Sequence, residues 1–177
     1  LLANHNNLTI IRLMTNTGNI ITEGEVLQLT NQFDINLTVE QYNEVIYRKT
    51  AILFESAAQI AAITQTNNTA IHQAMAQYGK QLGITFQIID DVLDYSIDAT
   101  DLGKQLGDDL KTGKITLPLI HALKHSPPDT QHRLQDIIRQ SDQSQFPQVI
   151  EALKRTEAYD YCYQQADHAA RLAKKAL

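Results

Sequence analysis

The amino-acid sequence predicts an all-α protein that folds as a helical bundle in a single domain, residues 1–177. Apolar residues recur at helical spacing over most of the chain, and no stretch alternates apolar and polar residues as a half-buried strand does. Only seven glycines and four prolines occur in 177 residues, and they are concentrated in a few places. We therefore expect long helices that are separated by few breaks.

The first half of the chain contains three helical patterns. The first covers residues 8–29, and the third covers about residues 70–95. The second begins at a capping box, in which the hydroxyl of Thr38 and the amide of Gln41 satisfy free N–H groups at the start of a helix. Its apolar residues are expected to point inward: Val39, Val45, Ile46, Ile52, Leu53, Ala57 and Ile60.

The second half contains shorter helical patterns after a polar stretch. Residues 96–114 include three glycines and are predicted to form an ordered loop with one short helical turn. Pro118 suits the first turn of the next helix, where its missing N–H is harmless. Three further helices are predicted at about residues 129–139, 145–154 and 158–176.

Composition excludes several classes of function. Twenty Asp and Glu outweigh fifteen Lys and Arg, which argues against a nucleic-acid binder because such a protein needs a basic face. One cysteine, Cys162, excludes a disulfide framework and a four-thiolate metal site. No apolar run is long enough for a membrane span and no signal peptide is recognisable, so a cytoplasmic protein is expected. The chain lacks a starting Met and opens directly into amphipathic sequence, which is typical of a fragment.

Residues 86–95, FQIIDDVLDY, hold three carboxylates in an otherwise apolar helix. Asp90 and Asp94 lie one above the other on one face, which Gln87 shares, and Asp91 lies about 100° around the helix. Ionised carboxylates are costly to bury without partners. We therefore expect a cation at this segment.

The expected cation is Mg²⁺, because clustered carboxylate oxygens suit this ion and phosphate oxygens complete its coordination shell. Lys104, Lys111 and Lys114 follow in the sequence, where they could neutralise a phosphate ligand. Carboxylates, a metal ion and lysines together predict a site that binds a diphosphate.

Two other interpretations of this region are less favoured. Acidic pairs on helices usually form a solvated face, but Ile88, Ile89, Val92 and Leu93 make both sides of this one apolar. A calcium loop would place Asp98, Gly103 and Asp109 at its positions 1, 6 and 12. It would also place Leu102 at position 5, where an oxygen ligand is required, which disfavours this interpretation.

A series of motifs resembles the trans-polyprenyl diphosphate synthases, most closely the bacterial long-chain, octaprenyl-type members that make quinone side chains. The motifs are FQIIDDVLD at 86–94, GKQLGDDL at 103–110 and GKITLP at 113–118. The upstream stretches EGEVLQL at 23–29 and YRKTAILF at 47–54 agree with the same family. This series in this order is specific to that family.

The resemblance implies a partial isoprenoid-synthase fold and a Mg²⁺-dependent prenyltransferase. An allylic diphosphate such as farnesyl diphosphate would ionise, and isopentenyl diphosphate would attack the cation and lose a proton. Repetition would give a long-chain polyprenyl diphosphate for quinone side chains. The family is typically homodimeric, and its long apolar products suggest that the synthase visits a membrane surface without inserting.

The resemblance also assigns roles to individual residues. Asp90 and Asp94, supported by Asp91, would hold the metal. The catalytic residues would be Lys49 and Lys104, which hold the allylic diphosphate, and Thr50 and Gln87, which lie beside the reacting carbons. The substrate-binding set adds Phe86 near isopentenyl diphosphate, Asp108 at a metal-bound water and Lys114 near the leaving group.

The chain departs from the family in three ways. The family has two aspartate-rich motifs and this chain has one, and a basic Gly-Gly-Lys-type segment and the final helices are absent. The resemblance therefore covers about the C-terminal half of a synthase. We expect a polypeptide of only these 177 residues to be inactive in condensation. The alternatives are a piece of a long-chain synthase, a non-catalytic subunit that binds diphosphate only and, more distantly, a terpene cyclase.

Overall fold

A computed structural model of the chain describes residues 7–96 and 107–177. Within these ranges the regular elements are helices, without a strand, which confirms the predicted all-α class. In the same part of the chain, no helix combines the length and the hydropathy that a bilayer crossing requires.

The helices follow the predicted order, with two irregular turns between them. The first group comprises α1 (Leu8–Thr30), α2 (Val39–Ile46), a π-helical turn (Tyr47–Ala51), α3 (Ile52–Gln65) and α4 (Thr69–Leu93). The second group comprises α5 (Asp108–Lys111), α6 (Leu117–His125), α7 (Pro128–Gln140), a 3₁₀ turn (Gln143–Gln145), α8 (Phe146–Arg155) and α9 (Ala158–Ala176).

Local signals in the sequence specify several helix ends. The capping box is confirmed, since the Thr38 amide donates to Gln41 Oε1 at 2.8 Å and the Gln41 amide donates to Thr38 Oγ1 at 3.2 Å. Pro118 lies in the first turn of α6, as predicted. The predicted ordered loop lies partly outside the described residues, because residues 97–106 are not described; its helical turn is α5.

The π-helical turn changes which residues of α3 are buried. Val45, Ile46 and Ile52 are buried as expected, but Leu53 is 48% exposed and Ala57 is also exposed. A π turn accommodates an extra residue, and one residue corresponds to about 100° of helix rotation. The expectation that Leu53 and Ala57 point inward was therefore wrong, because it assumed one uninterrupted helical period.

The described residues form two compact units. The first comprises residues 7–27, 43–87 and 167–177. In it, a buried hydrogen bond of 2.5 Å joins the hydroxyls of Thr17 and Ser56. Helix α4 lies against the π-helical turn, where a β-carbon on Gly83 would be only 2.6 Å from Ala51 Cα. This close approach explains why small residues occupy both positions.

The second unit comprises residues 28–42, 88–96 and 107–166. Here α6 packs against α7 and α8. The core is aliphatic, and its largest fully buried side chains include Leu117, Leu119, Leu134, Ile137, Ile138, Val149 and Leu153. The prediction of one domain for the whole chain stays a prediction.

Candidate active site

The π-helical turn of the first unit carries two of the predicted catalytic residues, Lys49 and Thr50. Thr50 Oγ1 donates a hydrogen bond of 2.7 Å to Gln87 Oε1, so the structure brings Thr50 and Gln87 together as a pair. Short π segments within helices are frequent at functional sites, because they redirect side chains at the cost of regular hydrogen bonding.

Two basic side chains of this turn, Arg48 and Lys49, form ion pairs with nearby glutamates. Lys49 Nζ lies 3.2 Å from Glu25 Oε1, and Arg48 contacts both Glu23 and Glu44 at 2.5 Å. A β-carbon on Gly24 would lie 2.7 Å from the Lys49 nitrogen, so only glycine allows α1 to approach the turn this closely. The Lys49 and Glu25 side chains are 33% and 50% exposed, so their pair lies in a largely solvated environment.

Phe86, which was predicted to line the substrate pocket, lies on α4 and is 54% exposed. Its ring centroid is 5.5 Å from that of Phe54, within the range of attractive aromatic pairs. The two rings form an accessible apolar surface in the first unit.

The aspartates at the end of α4 belong to the second unit and differ in their environments. Asp91 is completely buried, whereas Asp90 and Asp94 are partly exposed. Both oxygens of Asp91 have partners, since Tyr42 Oη donates to Oδ2 at 2.7 Å and Lys114 Nζ donates to Oδ1 at 2.8 Å. Burial, and next the charge of Asp91, raise the pKa of Tyr42 well above its usual value, so its hydroxyl keeps the proton that it donates.

Asp94 is linked to the turn that begins at Gly107. The Asp109 amide donates to Asp94 Oδ2 at 3.1 Å, and the Gly107 amide donates to the Asp94 carbonyl at 3.1 Å. Burial raises the pKa of the Asp94 carboxyl, against the hydrogen bond from Asp109. Burial also raises the pKa of the Asp109 carboxyl, to about 7, although the nearby Lys114 ammonium favours its ionised form.

Lys114 connects these acidic groups. Its ammonium donates to both oxygens of Asp109 at 3.2 Å as well as to Asp91. Desolvation by burial lowers the pKa of Lys114, but the charges of Asp91 and Asp109 outweigh it and raise the pKa overall. Lys114 is therefore a permanently charged partner of two carboxylates.

The donor set is compatible with Mg²⁺ only if a ligand contributes oxygens. Among residues 7–96 and 107–177, no three His, Cys, Asp or Glu side chains are grouped in a way that could hold a metal ion. Asp90 in the last turn of α4 and Asp94 directly after its end offer carboxylate oxygens four residues apart, and both are partly exposed. Because Mg²⁺ usually binds through one or two carboxylates plus waters and phosphate oxygens, these two residues fit it as a partial site.

The remaining predicted residues lie in or beside the glycine-rich region. Lys104 lies outside the described residues. Asp108 is exposed at the first position of α5, and Lys111 is exposed at its last position. The assigned roles of the site residues stay predictions.

Comparison with known proteins identifies the family. The polyprenyl synthetase family matches residues 1–154. The chain belongs to this family. It is 41% identical to the octaprenyl diphosphate synthase of Escherichia coli K12 over 96% of this chain and 53% of the relative. It is 39% identical to the octaprenyl diphosphate synthase of Haemophilus influenzae over 100% of this chain and 54% of the relative.

Solved structures agree with this assignment. A polyprenyl synthase from Caulobacter crescentus CB15, complexed with calcium and isoprenyl diphosphate, matches with a TM-score of 0.94 and 34% identity. The match covers 99% of this chain and 54% of that chain. The recognised family and the isoprenoid-synthase fold are thus confirmed. The chain spans about half the length of the curated relatives it matches.

Two residues of this region were not among the predicted site residues. Tyr42 lies on α2 and is buried, like Leu37 and Val45 on either side of it in the sequence. Its position in the sequence is typical of an ordinary core residue. The available signal was its hydroxyl, since a buried Tyr needs a hydrogen-bond partner. Asp109 was named from the sequence only as position 12 of a disfavoured calcium loop, and its contact with Lys114 depends on the fold of the turn between them.

Proposed function

We propose that this chain is part of a prenyltransferase that adds isopentenyl diphosphate units to an allylic diphosphate such as farnesyl diphosphate. The product would be a long-chain polyprenyl diphosphate for quinone side chains. One structural observation carries the proposal: Asp91 is fully buried and paired with Lys114, while Asp90 on the same helix and Asp94 directly after its end are partly exposed. The two partly exposed carboxylates would then be available to bind a metal ion, while the buried Asp91 carboxylate would hold neighbouring protein groups in place.

The reaction is a substitution in which the allylic carbon–oxygen bond breaks and diphosphate leaves. The double bond of isopentenyl diphosphate then forms the new carbon–carbon bond, and a proton is lost. Mg²⁺, when bound, would neutralise negative charge that develops on the departing diphosphate. Asp90 and Asp94 would hold it, because carboxylates supply the hard oxygen ligands that it prefers.

The other residues would bind and orient the substrates. Lys49 and Lys104 would neutralise the phosphate oxygens of the allylic substrate, with Asp108 at a metal-bound water. The hydrogen bond from Thr50 to Gln87 fixes the orientation of an amide that would face the reacting carbons. Lys114 would lie near the leaving group, and Phe86 would line the pocket near isopentenyl diphosphate. An apolar cavity would protect the cation from hydrolysis.

The activities and bound ligands of the related proteins support this proposal. Those of Escherichia coli and Haemophilus influenzae are octaprenyl diphosphate synthases, and the one from Caulobacter crescentus was solved with a divalent cation and isoprenyl diphosphate. The proposed enzyme would be a homodimer in the cytoplasm. It would bind transiently to the membrane surface to deliver its apolar product.

The test begins with the intact mass of the purified protein. The same sample is then assayed for Mg²⁺-dependent transfer of labelled isopentenyl diphosphate to farnesyl diphosphate. A heavier protein should elongate farnesyl diphosphate. A chain of 19.9 kDa should bind inorganic pyrophosphate with Mg²⁺ in calorimetry but not elongate. Absence of both elongation and binding would contradict the proposal.

A matched pair of variants sharpens the test. Asp90→Ala should reduce Mg²⁺-dependent activity or binding at least tenfold, since a ligand to the metal is lost. Asp136→Ala is the control, because Asp136 is a surface acid whose contact with Arg139 is 3.7 Å. Equal effects of the two substitutions would count against a metal site at α4.

A further inference from the structure

A buried tyrosine is directly bonded to the aspartate-rich segment. Tyr42 is 2% exposed and Asp91 is 0% exposed, and the hydrogen bond between them is 2.7 Å long. The other oxygen of Asp91 accepts from Lys114 at 2.8 Å. A fully desolvated carboxylate with one neutral and one charged donor has a fixed orientation, since losing either donor leaves a buried charge unsatisfied.

The same contacts continue to a proposed metal ligand. Lys114 also donates to Asp109 at 3.2 Å, and the Asp109 amide donates to Asp94 Oδ2 at 3.1 Å. Tyr42, Asp91, Lys114, Asp109 and Asp94 thus form a continuous chain of hydrogen bonds, here called the Tyr42 network. It leads from the buried Tyr42 of α2 to the partly exposed Asp94 carboxylate directly after α4.

The turn that carries Asp109 and Lys114 is held at both ends by a glycine beneath an aromatic ring. Gly107 has φ +78°, and a β-carbon there would lie 2.8 Å from the Phe146 ring. Gly113 has φ +71°, and a β-carbon there would lie 2.3 Å from the Phe33 ring, whose own amide donates to the Gly113 carbonyl at 2.8 Å. The turn that presents the Asp109 amide to Asp94 is therefore closely packed at both ends.

We propose that Tyr42 is a positioning residue for the metal site: through Asp91, Lys114 and Asp109 it fixes the orientation of the Asp94 carboxylate. This inference rests on the proposed function. Groups that hydrogen-bond to metal ligands set ligand orientation, and their loss typically lowers metal affinity by about 10- to 100-fold. Tyr42 reaches Asp94 only through three other residues, so the lower end of this range is expected. Lys114, which has two carboxylate partners, acts in this network as an internal cation.

The alternative is that Tyr42 only fills the core, and a matched variant separates the two. Tyr42→Phe removes one hydroxyl and keeps the ring. Tyr159→Phe does the same in the same unit, because Tyr159 Oη donates a single bond of 2.8 Å to the Tyr95 carbonyl. The acceptor of this bond, the Tyr95 carbonyl, is not one of the five residues of the Tyr42 network. A purely structural role predicts equal behaviour of the two variants apart from stability.

The experiment has one readout without ligand and one with ligand. Hydrogen exchange by NMR should show faster exchange of the Asp109 amide in Tyr42→Phe than in Tyr159→Phe, since that amide bonds to Asp94. Calorimetry with inorganic pyrophosphate should show that Tyr42→Phe needs roughly tenfold more Mg²⁺ for half-saturation, with Tyr159→Phe unchanged.

The outcomes distinguish this inference from the proposed function. If the wild type binds pyrophosphate with Mg²⁺ and Tyr42→Phe has the same Mg²⁺ requirement, the positioning role is overturned and the proposed function stands. If the wild type shows no Mg²⁺-dependent binding, the proposed function fails and the inference fails with it. Equal exchange at Asp109 in both variants would also overturn the positioning role.

Discussion

Lys49 and Lys114 are both paired with acidic residues, but in opposite surroundings. The Lys49 side chain is 33% exposed and its partner Glu25 is 50% exposed, with 3.2 Å between the charged atoms. The Lys114 side chain is 20% exposed, and its partner Asp91 is fully buried at 2.8 Å. Both lysines belong to motifs of the same family resemblance, yet only the structure distinguishes them.

The different exposure of the two lysines determines how much free energy each would lose by leaving its acidic partner. A solvated ion pair contributes about 0–1 kcal/mol, so Lys49 can leave Glu25 for a phosphate at little expense. A buried pair is different, since removing one partner leaves an uncompensated charge and costs about 3–5 kcal/mol. Lys49 is thus suited to bind a ligand that comes and goes, whereas Lys114 is suited to hold protein groups in place.

The largest expected effect comes from Lys114→Met. It leaves Asp91 and Asp109 without their shared cation, so the free energy of unfolding should fall by about 3 kcal/mol or more. Urea denaturation measures this loss. Lys111→Met is the control, because Lys111 is exposed only three residues away and its substitution should change stability by less than about 0.5 kcal/mol. A loss below 1 kcal/mol for Lys114→Met would show that the buried carboxylates do not depend on this cation.

The next effect comes from Gly113→Ala. The residue has φ +71°, and a β-carbon there would lie 2.3 Å from the Phe33 ring, so alanine should destabilise the protein by about 2 kcal/mol. Gly18→Ala is the opposite case, because Gly18 lies within α1 with nothing within 4 Å of its β-carbon position. It should stabilise the protein by about 0.5–1 kcal/mol. Thermal unfolding of both variants tests these two expectations. If Gly113→Ala did not change the stability of the protein, the turn would be easily rearranged.

A smaller, pH-dependent effect is expected at Cys162 in the second unit. Burial, with the charge of Asp91, raises the pKa of the Cys162 thiol to about 12. The unfolded chain would lose this proton near pH 8.5, so the stabilising contribution is complete below that pH and is lost as pH rises toward 12. Between pH 9 and 10 the wild type should lose about 1 kcal/mol more than Cys162→Ala. Parallel pH profiles of unfolding for the two proteins would contradict a buried, protonated thiol.

The smallest effect on stability is expected for Lys49→Met. Its ion pair with Glu25 is solvated, so the free energy of unfolding should change by less than about 1 kcal/mol. The affinity for inorganic pyrophosphate in the presence of Mg²⁺ should nevertheless fall severalfold, because Lys49 is a proposed phosphate ligand. Denaturation and calorimetry on the same sample separate the two effects. A loss of stability comparable to that of Lys114→Met would remove the distinction between the two lysines.

Local signals predicted much of the fold. Helix α4 was expected at about residues 70–95 and extends over Thr69–Leu93, and the Thr38–Gln41 capping box is formed. These features depend on residues within one or two turns of each other, so periodicity and side-chain chemistry suffice. The exposure of Leu53 could not be predicted in this way, because a π turn interrupts the helical period just before it.

The sequence predicted which residues form the candidate site but not which of them contact each other. The spacing of Asp90, Asp91 and Asp94 placed Asp91 apart from the other two. That spacing could not show that Tyr42, which is 49 residues away, bonds to Asp91, or that Lys114 lies between Asp91 and Asp109. Contacts of this kind depend on where separate helices pack, which no local pattern encodes.

The sequence by itself determined the all-α class, the helix order and the family, because helical periodicity and an ordered series of motifs are properties of neighbouring residues. Only the tertiary structure decided which charges are buried. The identity of Lys49 and Lys114 as lysines gives no indication of their different exposure or partners. Desolvation, which sets the strength of each ion pair, depends on all the atoms packed around it and therefore on the completed fold.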